Sequence, residues 1–273
     1  MLTKVEVRTR QGTLLNLPLE DVDNGFIIEE IEGLDPVKAT LVSSSVAQVD
    51  GAQYHSSRRE PRNLKFKIGL EPDYINSSVK SLRTRLYSFF MPKSEVDLRF
   101  IDSDGLEVDI SGRVESCDSP LFSKDPEVDV SIMCFAPDFY DRTPVVINEL
   151  TTSTTDEILI PYEGTVETGV RFTLHVDRSL TQFNFYHRPP DGTLRSLNFA
   201  RAMVVDDVLV ISTVPGSKGA ALTRANVVSS ALDSISPQSN WIELQPGDNY
   251  IRVYAEGAGV PFDLEYTTKY GGL

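Results

Sequence analysis

The residues of this chain that could do chemistry are few and stand apart. Asp206-Asp207 is a carboxylate doublet that acid–base work could use. Adjacent strand residues point to opposite faces, however, so a turn opening the strand Val208 to Ser212 accounts for it better. Ser77-Ser78-Val79-Lys80 has SxxK spacing without partner motifs, and its serines read as a helix cap. Asp102-Ser103-Asp104-Gly105 could open a calcium loop, but the third liganding position and the distal glutamate are missing; Asp-Gly there reads as a hairpin turn. His55, His175 and His187 are too scattered to be metal ligands, and Cys117 and Cys134 have no paired spacing, so they read as buried thiols. No P-loop, HExxH, strand-borne GxGxxG or GxSxG is present. The expectation is no catalytic residue, no metal and no cofactor.

Two other groups of residues could bind. Inward Ile242 and Leu244 would turn Trp241 out, and inward Ile251 and Val253 would turn Tyr250, Arg252 and Tyr254 out. An outward aromatic row of Trp241, Tyr250 and Tyr254 can stack on a saccharide or cover a protein partner. The second group is charge. Between Glu20 and Asp35 stand seven acids and no base, with Glu29, Glu30 and Glu32 on one strand. Between Ser56 and Lys93 stand nine bases against three acids, including Arg58, Arg59, Arg62, Lys65 and Lys67. In a monomer these segments could face each other across one surface; in a ring, the basic arm of one subunit could meet the acidic patch of the next.

The elements that must position these residues are mostly strands. Leu41 to Val49 and the alternating Leu64, Phe66, Ile68 and Leu70 predict two strands of a projecting arm, with a polar loop from Gln53 to Arg62 between them. One helix is expected, Ser78 to Phe90, with Val79, Leu82, Leu86 and Phe89 on its apolar stripe and Pro92 beyond its end. Val96 to Phe100 and Leu106 to Ile110 form a hairpin, and the strand Val128 to Cys134 runs into Phe135-Ala136-Pro137-Asp138-Phe139-Tyr140, where proline stops the ladder. The polar run Thr151 to Glu157 reads as a linker, and turn signals every 8–12 residues after it read as a β-sandwich. The expected division is 1–148, linker 149–157, and 158–273. With 40 acidic against 26 basic residues, the net charge of −14 disfavours binding to nucleic acid or anionic lipid. The chain shows no secretory signal and no bilayer-spanning run, so a protein made in a cytoplasm is expected.

The order of parts resembles the distal tail protein family of long non-contractile-tailed bacteriophages. In the first half the resemblance rests on Asp50-Gly51 leading through Arg58 and Arg59 into Leu64-Lys65-Phe66-Lys67-Ile68, the helix with Leu82 and Leu86, and Cys134 to Tyr140. In the second half it rests on Tyr162 to Thr165, Asp207 to Thr213, Ser239 to Asn249 and Tyr266 to Leu273, with Asp206 standing where such proteins often have glycine. The resemblance implies a mainly β chain: a ring-forming belt domain, a β-sandwich with one helix and a projecting arm, followed by a galectin-like or carbohydrate-module-like β-sandwich. It implies a homohexameric virion hub, made in the host bacterial cytoplasm, that joins the tail tube to the tip or baseplate and lets DNA pass. The tail tube protein and the tail tip or hub protein are the implied partners, with the tape measure and receptor-binding proteins as further candidates.

Overall fold

The computed structural model describes residues 1–45, 50–120 and 125–273. The chain divides into two units, Met1–Arg142 with Tyr270–Leu273, and Thr143–Lys269. Proline stops the ladder where the sequence expects it: the last long strand of the first unit ends at Cys134.

The first unit contains β1 (Leu2–Thr9), β2 (Leu14–Pro18), β3 (Phe26–Glu32), β4 (Ala39–Ser44), β5 (Gln53–Arg59), β6 (Arg62–Leu70), α1 (Val79–Phe89), β7 (Glu95–Asp102), β8 (Glu107–Asp118), β9 (Glu127–Cys134) and β10 (Phe139–Asp141). Period-two alternation drives the sheet. In β6, Leu64, Phe66 and Ile68 are buried while Lys65 and Lys67 lie on the other face, and β1, β7 and β9 alternate likewise. The main sheet runs β2-β1-β7-β8-β9-β6-β3, with β10 against β8, and its edge strands β2 and β3 approach each other around the core. Helix α1 begins at Ser78, whose hydroxyl accepts the Ser81 N–H while the Ser81 hydroxyl accepts the Ser78 N–H, a reciprocal cap. It buries Leu82, Leu86 and Phe89.

The arm differs from the sequence expectation. Gln53 to Arg59, read as loop, is strand β5, and it pairs with β4; β6 is instead an interior strand between β9 and β3. Every residue of β4 and β5 is exposed, so no buried face imposed an alternating pattern that could have shown the ribbon. Gln48 and Val49 lie outside the described residues.

The second unit contains β11 (Val145–Leu150), β12 (Ile158–Tyr162), β13 (Thr168–His175), β14 (Leu180–Arg188), β15 (Arg195–Met203), β16 (Val208–Ser212), β17 (Gly219–Arg224), β18 (Val227–Ser230), β19 (Glu243–Leu244), β20 (Gly247–Ala255) and β21 (Pro261–Tyr266). One sheet runs β11-β21-β13-β16-β17-β18, with β19 on β13; the other runs β12-β20-β14-β15. Their inner faces share one core centred on Phe172, which lies 5.3–5.4 Å from the rings of Phe183, Phe185 and Phe262. The division falls earlier than the 148/149 boundary, because β11 pairs with β21 of the second unit, and Tyr270–Leu273 rejoins the first. Thr151 is not free linker: it is buried, and its hydroxyl accepts the Val260 N–H at 2.9 Å.

Candidate functional site

The charged segments meet inside one subunit. The β3–β6 register sets Glu30 opposite Lys67 and Glu32 opposite Lys65. Lys65 Nζ lies 2.9 Å from Glu32 Oε2, and Lys67 Nζ lies 2.9 Å from Glu127 Oε2. These carboxylates raise both lysine pKa values through direct hydrogen bonds. Beside them is a groove of about 390 Å³ whose lining includes Glu30, Asn63, Glu115, Asp129 and Ser131. The Ser131 hydroxyl lies 2.9 Å from both Asn63 Oδ1 and Glu115 Oε2. Glu30, Glu115 and Asp129 make no ion pair among the described residues, so the groove keeps negative charge after its two lysines are satisfied. Glu29 is exposed on the same strand.

The arginines separate into three different roles. Arg58, at the root of the β4–β5 ribbon, is 79% exposed and only loosely paired, its Nε 3.6 Å from Glu60. Arg59 pairs with buried Asp138 through both carboxylate oxygens, tying the ribbon's root to the segment after Pro137. Arg62 is no surface residue. It is 1% exposed, donating to the carbonyls of Pro137 at 2.7 Å, Asp35 at 2.8 Å, Gly271 at 2.5 Å and also Gly33, with its guanidinium 4.4 Å from the Phe139 ring. Burial lowers its pKa. Gly33 is obligatory beside it: φ is +92°, and a Cβ would stand 2.1 Å from the Asn63 carbonyl oxygen. Arg62 therefore leaves the set of ring-contact candidates, because a cation engaged by four carbonyls of its own unit has nothing to offer a neighbour. Sequence reading missed this because a buried arginine sits within the same basic run as exposed ones.

In the second unit, Ile242, Leu244, Ile251 and Val253 are buried as the alternation requires. The outward face differs from the expected aromatic row. Trp241 is half-buried against the core and lies outside the β14–β20 ladder. On that ladder Arg188 faces Tyr250 and Arg252 faces Tyr186, each guanidinium 4.1 Å from the ring centroid, while Tyr254 faces Asn184. Arg188 also pairs with Glu157, and Arg252 donates to the Thr154 carbonyl at 3.2 Å. An arginine thus occupies one face of the Tyr250 ring and of the Tyr186 ring, faces that a sugar would need.

The remaining chemistry-bearing residues have structural partners. Asp206 lies in a turn at φ +69°, and Asp207 is buried, accepting from the Arg224 guanidinium and from the Val204 N–H, so the doublet does not converge. Cys134 is buried and Cys117 half-buried; burial pushes both thiols up to about 11. Among the described residues no group of three or more His, Cys, Asp or Glu could hold a metal. His187 is fully buried, with Nε2 2.9 Å from Asn249 Oδ1, and Asn249 itself bonds Gln245 and Gly247 to close the turn before β20.

These features define a class: a mainly β chain of two units, one an open β-sheet unit with a single helix and an exposed two-stranded ribbon, the other a β-sandwich. Residues 163–270 match the family described as siphovirus-type tail component, C-terminal domain, and the resemblance to the siphophage distal tail proteins holds. The whole chain shares its fold with the SPP1 Dit (gp 19.1) protein, at 15% identity and TM-score 0.67, covering 97% of this chain and 98% of that one. That protein is described as a paradigm of the hub adsorption apparatus in phages infecting Gram-positive hosts. Chains of the phage P2 baseplate in its activated conformation with Ca and with Sr match at 9% and 10% identity and TM-scores of 0.48 and 0.47, each covering 100% of both chains, and add no argument. No curated protein sequence matches this chain.

Proposed function

We propose that the protein is a structural distal tail protein, a virion hub that joins the tail tube to the tail tip. The observation that carries this is the match of the second unit to a siphovirus-type tail component, in a chain whose two-unit fold is that of a phage hub protein. Its role is assembly and not catalysis. Six copies form a ring by head-to-tail contact, the exposed ribbon with Arg58 of one subunit reaching the groove of Glu30, Glu115 and Asp129 on the next, with Glu29 beside it. Glu32, Lys65, Lys67 and Arg59 shape the two surfaces from within. The net negative charge suits a channel through which DNA passes without being held. The sandwich serves as a docking module for other tail-tip proteins. The chain is made in the host cytoplasm and resides in the virion.

Negative-stain images of the purified chain test this reading. Six-fold rings with a central channel are expected, and Arg58→Glu should disperse them while Arg58→Glu combined with Glu115→Lys and Asp129→Lys restores them. Images of single particles at every concentration would remove the reading.

A further inference from the structure

The loop between β6 and α1 carries Tyr74 and Ile75, whose side chains are 78% and 89% exposed. This loop is tightly held. Asp73 Oδ1 accepts the N–H groups of Ile75 at 3.1 Å, Asn76 at 2.8 Å and Ser77 at 2.8 Å, and Oδ2 accepts the Asn76 side-chain amide at 2.9 Å. The Ser77 hydroxyl accepts the Asp73 N–H at 3.1 Å. The Asn76 side-chain bond first, then the backbone bonds, hold the Asp73 carboxyl far below the usual carboxylate range. Tyr74 stands at φ +56°, a left-handed conformation that costs a residue with a Cβ about 1–2 kcal/mol. Folding alone gives no reason to fix a strained backbone so that an aromatic and an aliphatic side chain remain in water.

The same unit holds a matching concavity. A mostly apolar cavity of about 330 Å³ is lined by Leu2, Leu34, Phe100, Leu106 and Val108, with Met1, Asp102 and Leu273 at its rim, where the Met1 ammonium pairs with the Asp102 carboxylate. The strand registers place knob and cavity at opposite ends of the sheet. Strands β6 and β8 both run antiparallel to β9, and Lys65 and Ser116 share Ser131 as their partner. Leu70 therefore lies about thirteen positions further along than Val108, or roughly 40 Å at ~3.3 Å per residue. The loop cannot enter the cavity of its own chain, whereas a copy placed end to end can receive it.

We propose that Tyr74 and Ile75 of one copy seat in the Leu2–Leu34–Phe100–Leu106–Val108 cavity of a second copy. The occupant is a second copy because one unit carries both complementary apolar features at opposite ends of its sheet, which is the requirement for a heterologous contact that closes into a ring or propagates. A rigid aromatic and aliphatic pair entering an apolar pocket is also the usual form of an interface anchor. The inference rests on the assembly reading above but uses neither the ribbon nor the charged groove.

The test is disulfide trapping in the full chain. Ile75→Cys combined with Leu106→Cys should give dimers and a ladder of higher species on non-reducing gels, and neither single variant should do so. In parallel, Tyr74→Asn with Ile75→Ser keeps a residue that tolerates the left-handed conformation and should lower the assembled mass at least to half at micromolar protein, with the melting curve unchanged. A wild-type chain that assembles, no ladder from the cysteine pair and an unaltered mass for the loop variant would overturn this contact and leave the ring reading intact. A wild-type chain that is monomeric would overturn both.

Discussion

Arg62 is where the distinction between holding a fold and holding a neighbour is sharpest. Its guanidinium satisfies four backbone carbonyls from three separate segments, so truncation leaves several buried acceptors unpaired at once. Arg62→Ala should destabilise the first unit by about 3 kcal/mol or more, read as a lowered urea midpoint, and Arg62→Lys should recover little because an ammonium cannot span the same fork. An interface residue would instead lower assembly and leave the midpoint alone. Asp206 offers the opposite experiment: at φ +69° it occupies a glycine position, so Asp206→Gly should raise the melting temperature, with about 1 kcal/mol of strain relieved. His187 gives a pH dependence. Burial is the main cause that lowers its pKa; the Asn249 bond and Asp191 act in the opposite sense, and Arg195 adds to the lowering. The unfolded chain thus takes up a proton that the folded one resists, and the second unit loses stability as pH falls from about 6.5, by no more than about 1.4 kcal/mol per pH unit, down to the lowered folded pKa. Urea midpoints at pH 7 and pH 5 should differ less in His187→Gln than in the wild type; an equal fall in both would show that other groups set the slope.

At the scale of elements, the ribbon β4–β5 is separable from the sheet that carries it. All its residues are exposed, and beyond its root at Arg59 it contributes nothing to the core. Replacing residues 40–57 by a short Gly-Ser connection should leave the melting curve of the first unit within a few degrees of wild type while lowering the assembled mass; a collapse of stability would mean that the ribbon packs on its own unit. The legibility of each element follows from what it buries. Helix α1, β6, β9, β13 and β20 could be read because their burial period of 3.6 or 2 is written in apolar residues, down to Leu82, Leu86 and Phe89 on the helix. β5 buries nothing, so Gln53 to Arg59 gave no period. The charge blocks of β3 and β6 were legible, but their mutual pairing was a matter of register, which local pattern does not fix. Tyr250 of β20 could be placed on an outward face, but its cover could not, because Arg188 comes from β14, more than sixty residues earlier.

At the scale of the whole molecule, the charge pattern of one chain is only partly consumed by its own folding. Glu32 with Lys65 and Glu127 with Lys67 close within the subunit, while Glu30, Glu115 and Asp129 make no ion pair among the described residues and the well-exposed Arg58 is only loosely paired. A contact carried by such charges weakens with salt, whereas the apolar seat for Tyr74 and Ile75 does not, so raising ionic strength should loosen rings without fully dispersing them. Full dispersal by moderate salt would indicate that charge alone holds the subunits. The central claim, that this chain is a ring-forming tail hub, is tested most directly by the native mass of the purified chain at micromolar concentration. The account predicts a single species of six times the 30.3 kDa chain mass, and a stable species of one chain mass across that range would contradict it.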